Sequence, residues 1–164
     1  EWKEFYHGTG VGDIDGDRRL DVVINDGWFQ QPEDPNSVWH WHPHRFSPER
    51  GGAQIFVDDV DGDGDSDVLT SLDAHGWGLA WFEQHRDDGE LAFRMHRIMG
   101  TRAEIDRFGA AFTQPHALDL GDINGDGLKD GRMALKGILS PTPRQFCIGL
   151  NCNARVALHA SSRT

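Results

Sequence analysis

Residues 59–67, "DVDGDGDSD", place five aspartates in nine positions with no basic residue among them. The arrangement recurs as "DIDGDRRLD" at 13–21 and "DINGDGLKD" at 122–130, so all three stretches follow D-x-[DN]-G-D-x-x-x-D. Oxygen-bearing side chains fall at positions 1, 3, 5 and 9. These are Asp13, Asp15, Asp17 and Asp21; Asp59, Asp61, Asp63 and Asp67; and Asp122, Asn124, Asp126 and Asp130. Alternate oxygens on a tight turn suit a hard cation. Calcium takes roughly six to eight oxygens and accepts a backbone carbonyl from position 7, which is Arg19, Asp65 or Leu128 here. One acidic, glycine-rich turn by itself also reads as a plain solvated turn. Three in register crowd like charges that only a bound ion neutralises, which predicts up to three Ca2+.

Position 12 separates these loops from the helix-flanked EF-hand, whose loop closes with a bidentate Glu. Ile24, Thr70 and Met133 stand there instead. The first two loops run into "DVVIN" and "DVLTSL", whose β-branched composition reads as strand. Position 9 therefore closes the loop, and the loop joins two strands.

The repetition extends past the loops. "GTGVGD", "AQIFVDD" and "HALDLGD" precede them. "GWFQQP" and "VWHWHPHRF" follow the first, and "LAWFEQ" and "AFRMHRI" the second. Each unit reads as an approach strand, an acidic loop, a strand, a Trp-Phe strand and an outer strand, which is a four-stranded antiparallel meander. The loop starts lie 46 and 63 residues apart, a period suited to propeller blades. The predicted fold class is all-β: β-propeller blades in an incomplete ring, with two full blades (about 5–50 and 51–100) and the start of a third (110–130).

Over roughly residues 5 to 130 the units resemble FG-GAP/VCBS-type repeats, the blades of calcium-containing β-propellers such as those of integrin α-subunits. The resemblance implies a calcium-stabilised scaffold or binding module in a secreted or envelope protein. Some carbohydrate-active lyases and dehydratases also contain such propellers, so it leaves a catalytic alternative open. Position 6 is Gly64 and Gly127 in two loops but Arg18 in the first. A turn that needs positive φ there makes the first site looser.

The net charge of -11 argues against a nucleic-acid surface, which needs a basic stripe. No apolar run approaches the ~20 residues of a membrane span. The sequence starts at Glu1, so a signal peptide is not visible, and the extracellular or envelope location rests on the resemblance. Residues 131–164 hold none of the 27 acids, both cysteines and none of the six tryptophans. The break follows Asp130 directly, so the tail reads as atypical, either out of frame or a natural divergent tail. Cys147 and Cys152, spaced C-x4-C, match no zinc or haem signature.

The second-to-third turns lie on the face opposite the acidic loops, where a carbohydrate or protein ligand is expected. His7 and His116 each stand six residues before a loop. An insertion in the second repeat carries Asp73, His75 and Trp77, and "GTRAEIDRFG" at 100–109 brings Arg102. Insertions in repeats often mark a binding face. Asp73, His75, Trp77 and Arg102 are the ligand-binding candidates, and His7, His75 and His116 are weak candidates for a catalytic base. Their plain reading is strand-end caps and ordinary surface loops. His40, His42 and His44 alternate along one strand face, but only His42 has a repeat partner, His96. Trp39 and Trp41 are then predicted to be the buried side of that strand, and Trp28-Phe29 and Trp81-Phe82 to be core between blades.

Overall fold

The first acidic loop joins β1 (Thr9–Gly12) to β2 (Asp21–Ile24). β3 (Gly27–Gln30) and β4 (His40–Pro43) complete an antiparallel sheet in sequence order. In this computed structural model the described residues are 8–108, 111, 113–121, 130–134, 145–149 and 158–160, the last three segments as backbone. The second unit repeats the plan: β5 (Ile55–Asp58), the acidic loop, β6 (Asp67–Ser71), β7 (Leu79–Asp87) and β8 (Glu90–Met99). A third sheet is built from β9 (Ala117–Gly121), β10 (Asp130–Ala134), β11 (Gln145–Gly149) and β12 (Leu158–Ala160). The molecule is all-β in its described sheets, each a four-stranded antiparallel meander. Antiparallel strand pairing extends beyond residue 130, past the point where the sequence pattern breaks. The described part of the connection from the second sheet to the third holds a 3-10 turn (Arg102–Glu104) and a short helix, α1 (Ile105–Phe108). No described helix is long and apolar enough to cross a membrane.

Cross-strand register shows that the two faces of each sheet have different tasks. Val23 pairs with Trp28, and Trp28 with His42; in the second sheet Leu69 pairs with Trp81, and Trp81 with His96. These rows are equivalent. In the first sheet this row faces the second sheet: Ile14, Val23, Trp28 and Phe46 form one buried cluster with Ile55, Val68, Leu72, Ala80 and Phe82. In the second sheet it turns away from the first, where Leu69, Leu79, Ile98 and Met99 are buried with Leu118 of β9. The opposite row of the second sheet, Val68–Phe82–Met95, faces back to the first. The sheets therefore stack in one sense, and each fully buried side chain in the stack contributes about 1.5–3 kcal/mol.

The predicted polarity of the outer strand is reversed. His42 lies on the core-facing row, stacked on Trp28 with ring centroids 4.0 Å apart and planes 7° apart. His44 is half-buried against Phe46 and Phe93. Trp41 points to the other face, beside Phe29 at 4.6 Å, and its counterpart Met95 is 44% exposed. The cause is that the Trp of each Trp-Phe pair, not the Phe, shares a face with the histidines. For the same reason Trp28 and Phe82 line the gap between the first two sheets, while Phe29 faces away from it.

The glycines before the first loop have a packing reason. β1 lies beside β5, and a Cβ on Gly12 would sit 2.4 Å from Val57 Cγ1; one on Gly10 would sit 2.9 Å from Ile55 Cγ2. Bare backbone lets the two innermost strands approach.

Candidate metal centre

The first two loops share one set of turn hydrogen bonds, to which the first adds Asp17 N donating to Asp13 at 3.0 Å. The first aspartate caps the turn: Gly16 N and Arg18 N donate to Asp13, both at 2.8 Å, and Gly62 N and Gly64 N to Asp59 at 2.7 and 3.0 Å. Position 3 accepts from position 5: Asp17 N to Asp15 at 3.1 Å, and Asp63 N to Asp61 at 3.2 Å. Position 5 accepts from position 7: Arg19 N to Asp17, and Asp65 N to Asp63, both at 2.9 Å. The last aspartate ties the loop to its sheet. Asp21 accepts from Ile14 N and Gln31 N, both at 2.9 Å, and Asp67 from Val60 N at 3.1 Å and Gln84 N at 2.8 Å. Short Asp side chains bonding the backbone a few residues on are what hold such turns.

Tight winding needs left-handed backbone at two places. Gly16 and Gly62 at position 4 both have φ of 82°. At position 6, Gly64 has φ 96° and Arg18 has φ 70°. The turn therefore requires positive φ at position 6, as the sequence predicts, and Arg18 carries the strain.

This winding gathers carboxylates. Asp13, Asp15 and Asp21 each offer an oxygen, all within 4.8 Å of one another, and Asp59, Asp61 and Asp67 do the same. Each triad can hold a metal ion. The position-5 residues Asp17 and Asp63 stand beside these triads in the same loops, and Arg19 and Asp65 supply position 7. Asp21 and Asp67 are almost wholly buried, at 0% and 1% exposure. Burial, the largest influence, raises the Asp21 pKa against the N–H groups of Gln31 and Ile14. Burial likewise pushes Asp67 up to about 6, opposed by the N–H groups of Gln84, Trp81 and Val60, of which the Trp81 indole sits outside hydrogen-bond geometry. Asp61 is also raised, first by burial and then by the charges of Asp63, Asp59 and Glu83. Buried carboxylates with raised pKa are poor anions by themselves and good ligands for a cation that replaces the lost solvation. An all-oxygen donor set fits a hard divalent ion. Asp122, Asn124, Asp126 and Leu128 of the third loop lie outside the described residues, as do the side chain of Asp130 and the whole of His7.

At the opposite end of the second sheet, Val22 pairs with Phe29 but Val68 with Phe82, which puts residues 72–78 into a long turn. This turn docks on the approach to β9: Gln114 N donates to Gly76 O at 2.9 Å, and Trp77 bridges to Thr113. It brings the His75 and His116 rings edge-to-face, with centroids 4.7 Å apart. Asp73 accepts from His75 N at 2.9 Å and from both Nε and Nη2 of Arg50, at 3.1 and 3.0 Å. Arg50 is a member of this group that the sequence reading missed, since its spacing from Asp73 carries no repeat signal. Arg102 belongs to the 3-10 turn, where Glu104 accepts from Thr101 and pairs with Arg97 at 3.2 Å; no described contact joins Arg102 to Asp73, His75 or Trp77.

No family model matches this chain, and the search of curated proteins also finds no match.

Proposed function

We propose that the chain is a calcium-binding β-propeller repeat module of the FG-GAP/VCBS type, serving as a binding or scaffold domain in an extracellular or envelope setting. The observation that carries this reading is the pair of matching loops, each bringing three carboxylates, one of them buried, within 4.8 Å of one another. When bound, calcium supplies positive charge and cross-links the strands before and after each loop. Asp21 and Asp67 anchor that cross-link to the core, and Asp13 and Asp59 keep the loop wound. The four-stranded antiparallel meanders, with buried clusters between the first and second and between the second and β9 of the third, support the propeller-blade reading. An extracellular setting suits loops of this kind, since exterior calcium is abundant enough for modest affinities.

Calorimetric titration of the full chain with calcium tests the reading. The expected result is saturable binding with a rise in Tm, reversed by a chelator and reduced by Asp59→Asn. Absence of heat and of any Tm change at millimolar calcium would overturn it.

The meeting of His75, His116, Asp73 and Arg50 favours one second reading: a ligand site for carbohydrate, with either imidazole available to a lyase-type proton abstraction. Loss of glycan binding in His75→Ala with calcium binding intact would support it.

A further inference from the structure

One face of the first sheet is apolar from edge to edge. Val11 pairs with Val22, Val22 with Phe29, and Phe29 with Trp41, so these side chains form one row across all four strands. Alternate residues share a face, and the next row on it is Thr9–Ile24–Gly27–Pro43. Neither row holds a charge, in a chain whose net charge is -11. A Cβ on Gly27 would sit 2.6 Å from Trp41 Cη2. The indole therefore lies across the bare backbone of β3, beside the Phe29 ring at 4.6 Å.

The second sheet shows what a face of this kind does. Its equivalent residues Val68 and Phe82 pack in the cluster shared with the first sheet and are 0% and 3% exposed. On the first sheet Val22 and Phe29 are only half-buried, and Val11 is 56% exposed. An uncharged apolar face of this extent at the surface marks an interaction site.

The other faces of the first two sheets are occupied. Val23 and Trp28 pack on the second sheet, and Leu69 is buried with Leu118 of β9. Among the described residues of these sheets, a second copy of the chain therefore meets this face with the same face. Side-chain size along the row rises from Val11 and Val22 to Phe29 and Trp41. A two-fold axis along the strands reverses the row, so that Val11 lies on Trp41 of the partner subunit and Val22 on Phe29 of the partner subunit. Small then meets large at each position, and no like charges are opposed. Such self-complementarity is what an isologous contact requires.

We propose that this face is a self-association surface, on which two copies of the chain pack sheet on sheet as a two-fold dimer. The inference goes beyond the calcium reading and is tested apart from it.

Sedimentation velocity of the full chain, from low to high micromolar and both in calcium and in chelator, is the test. The expected result is a concentration-dependent rise from monomer to dimer. Val11→Glu sets an unpaired carboxylate against an indole and weakens dimerisation about tenfold or more. The Tm of the dilute variant is unchanged, because the position is exposed in the single chain. Pro43→Glu, at an exposed position of the adjacent row, has the same effect and replaces Val11→Glu should that variant melt early. Mixing Pro43→Glu with Thr9→Lys, which the two-fold sets opposite each other, restores association. A monomer at every concentration, growth past the dimer, or association unmoved in both Glu variants overturns the proposal, and no recovery on mixing overturns its reversed pairing.

Discussion

Arg18 is the residue where sequence and backbone geometry conflict. Its φ of 70° is one that Gly64 adopts at the same turn position without cost. A non-glycine side chain held there costs on the order of 1–3 kcal/mol, partly offset by the unfolded-state freedom that glycine adds. Arg18→Gly is therefore expected to raise stability by about 1 kcal/mol in saturating calcium, read from denaturant midpoints at constant slope. Asp67 carries the clearest pH signature. Its folded pKa of about 6 lies above the unfolded value. Between those values the folded chain holds more protons than the unfolded one, so calcium-free protein gains stability as pH falls from 7 to 4. The gain is about 3 kcal/mol and is lost as pH rises through 6. On the proposed calcium reading the sign reverses, because the ion needs the carboxylate: calcium affinity at the second loop is expected to fall below pH 6. Unfolding curves at several pH values, with and without calcium, check both slopes, and Asp67→Asn should flatten them.

Among elements, the outer strands β4 and β8 show why an alternating pattern does not say which face is inside. "VWHWHPHRF" alternates tryptophan with histidine, and hydropathy puts the tryptophans in. Cross-strand pairing decides otherwise. Once Trp28 is committed to the core, its partner His42 must share that face, and the flat imidazole stacks where an aliphatic chain would fit less closely. Phe46 follows β4 directly and is fully buried. It packs edge-on to Phe82 at 5.4 Å and to Phe93 at 5.1 Å, and its N donates to Asn25 O at 2.8 Å. It pins the exit of the first sheet to the face of the second. Phe46→Ala is expected to cost about 3–5 kcal/mol, and fluorescence unfolding should then show the two sheets melting less cooperatively.

Across the whole molecule, stacking is one-directional. The first sheet offers its Val23–Trp28–His42 row to the second, which receives it on its Val68–Phe82 row and turns its own Leu69–Trp81–His96 row toward Leu118 of β9. The first two acidic loops therefore share one end of the stack, and the long 72–78 turn lies at the other, separated by the length of a strand. Charge crowding at one end and the docked His75–His116 pair at the other are separate clusters on one scaffold, which is why an acidic-loop variant and a His75 variant are expected to act separately.

The first two loops, the carboxylate triads they gather and the strand order were legible in the linear chain because each depends on local chemistry. Alternating oxygens, turn glycines and β-branched runs act within about a dozen residues. The demand for positive φ at position 6 was equally readable, since it is a property of a single turn. The side of the outer strand that faces inward, the glycines that admit Ile55 and Val57, the pairing of Arg50 with Asp73 and the meeting of His75 with His116 were not. Each of these depends on which sheet lies against which, and that is settled only when separate repeats compete to bury the same apolar surface.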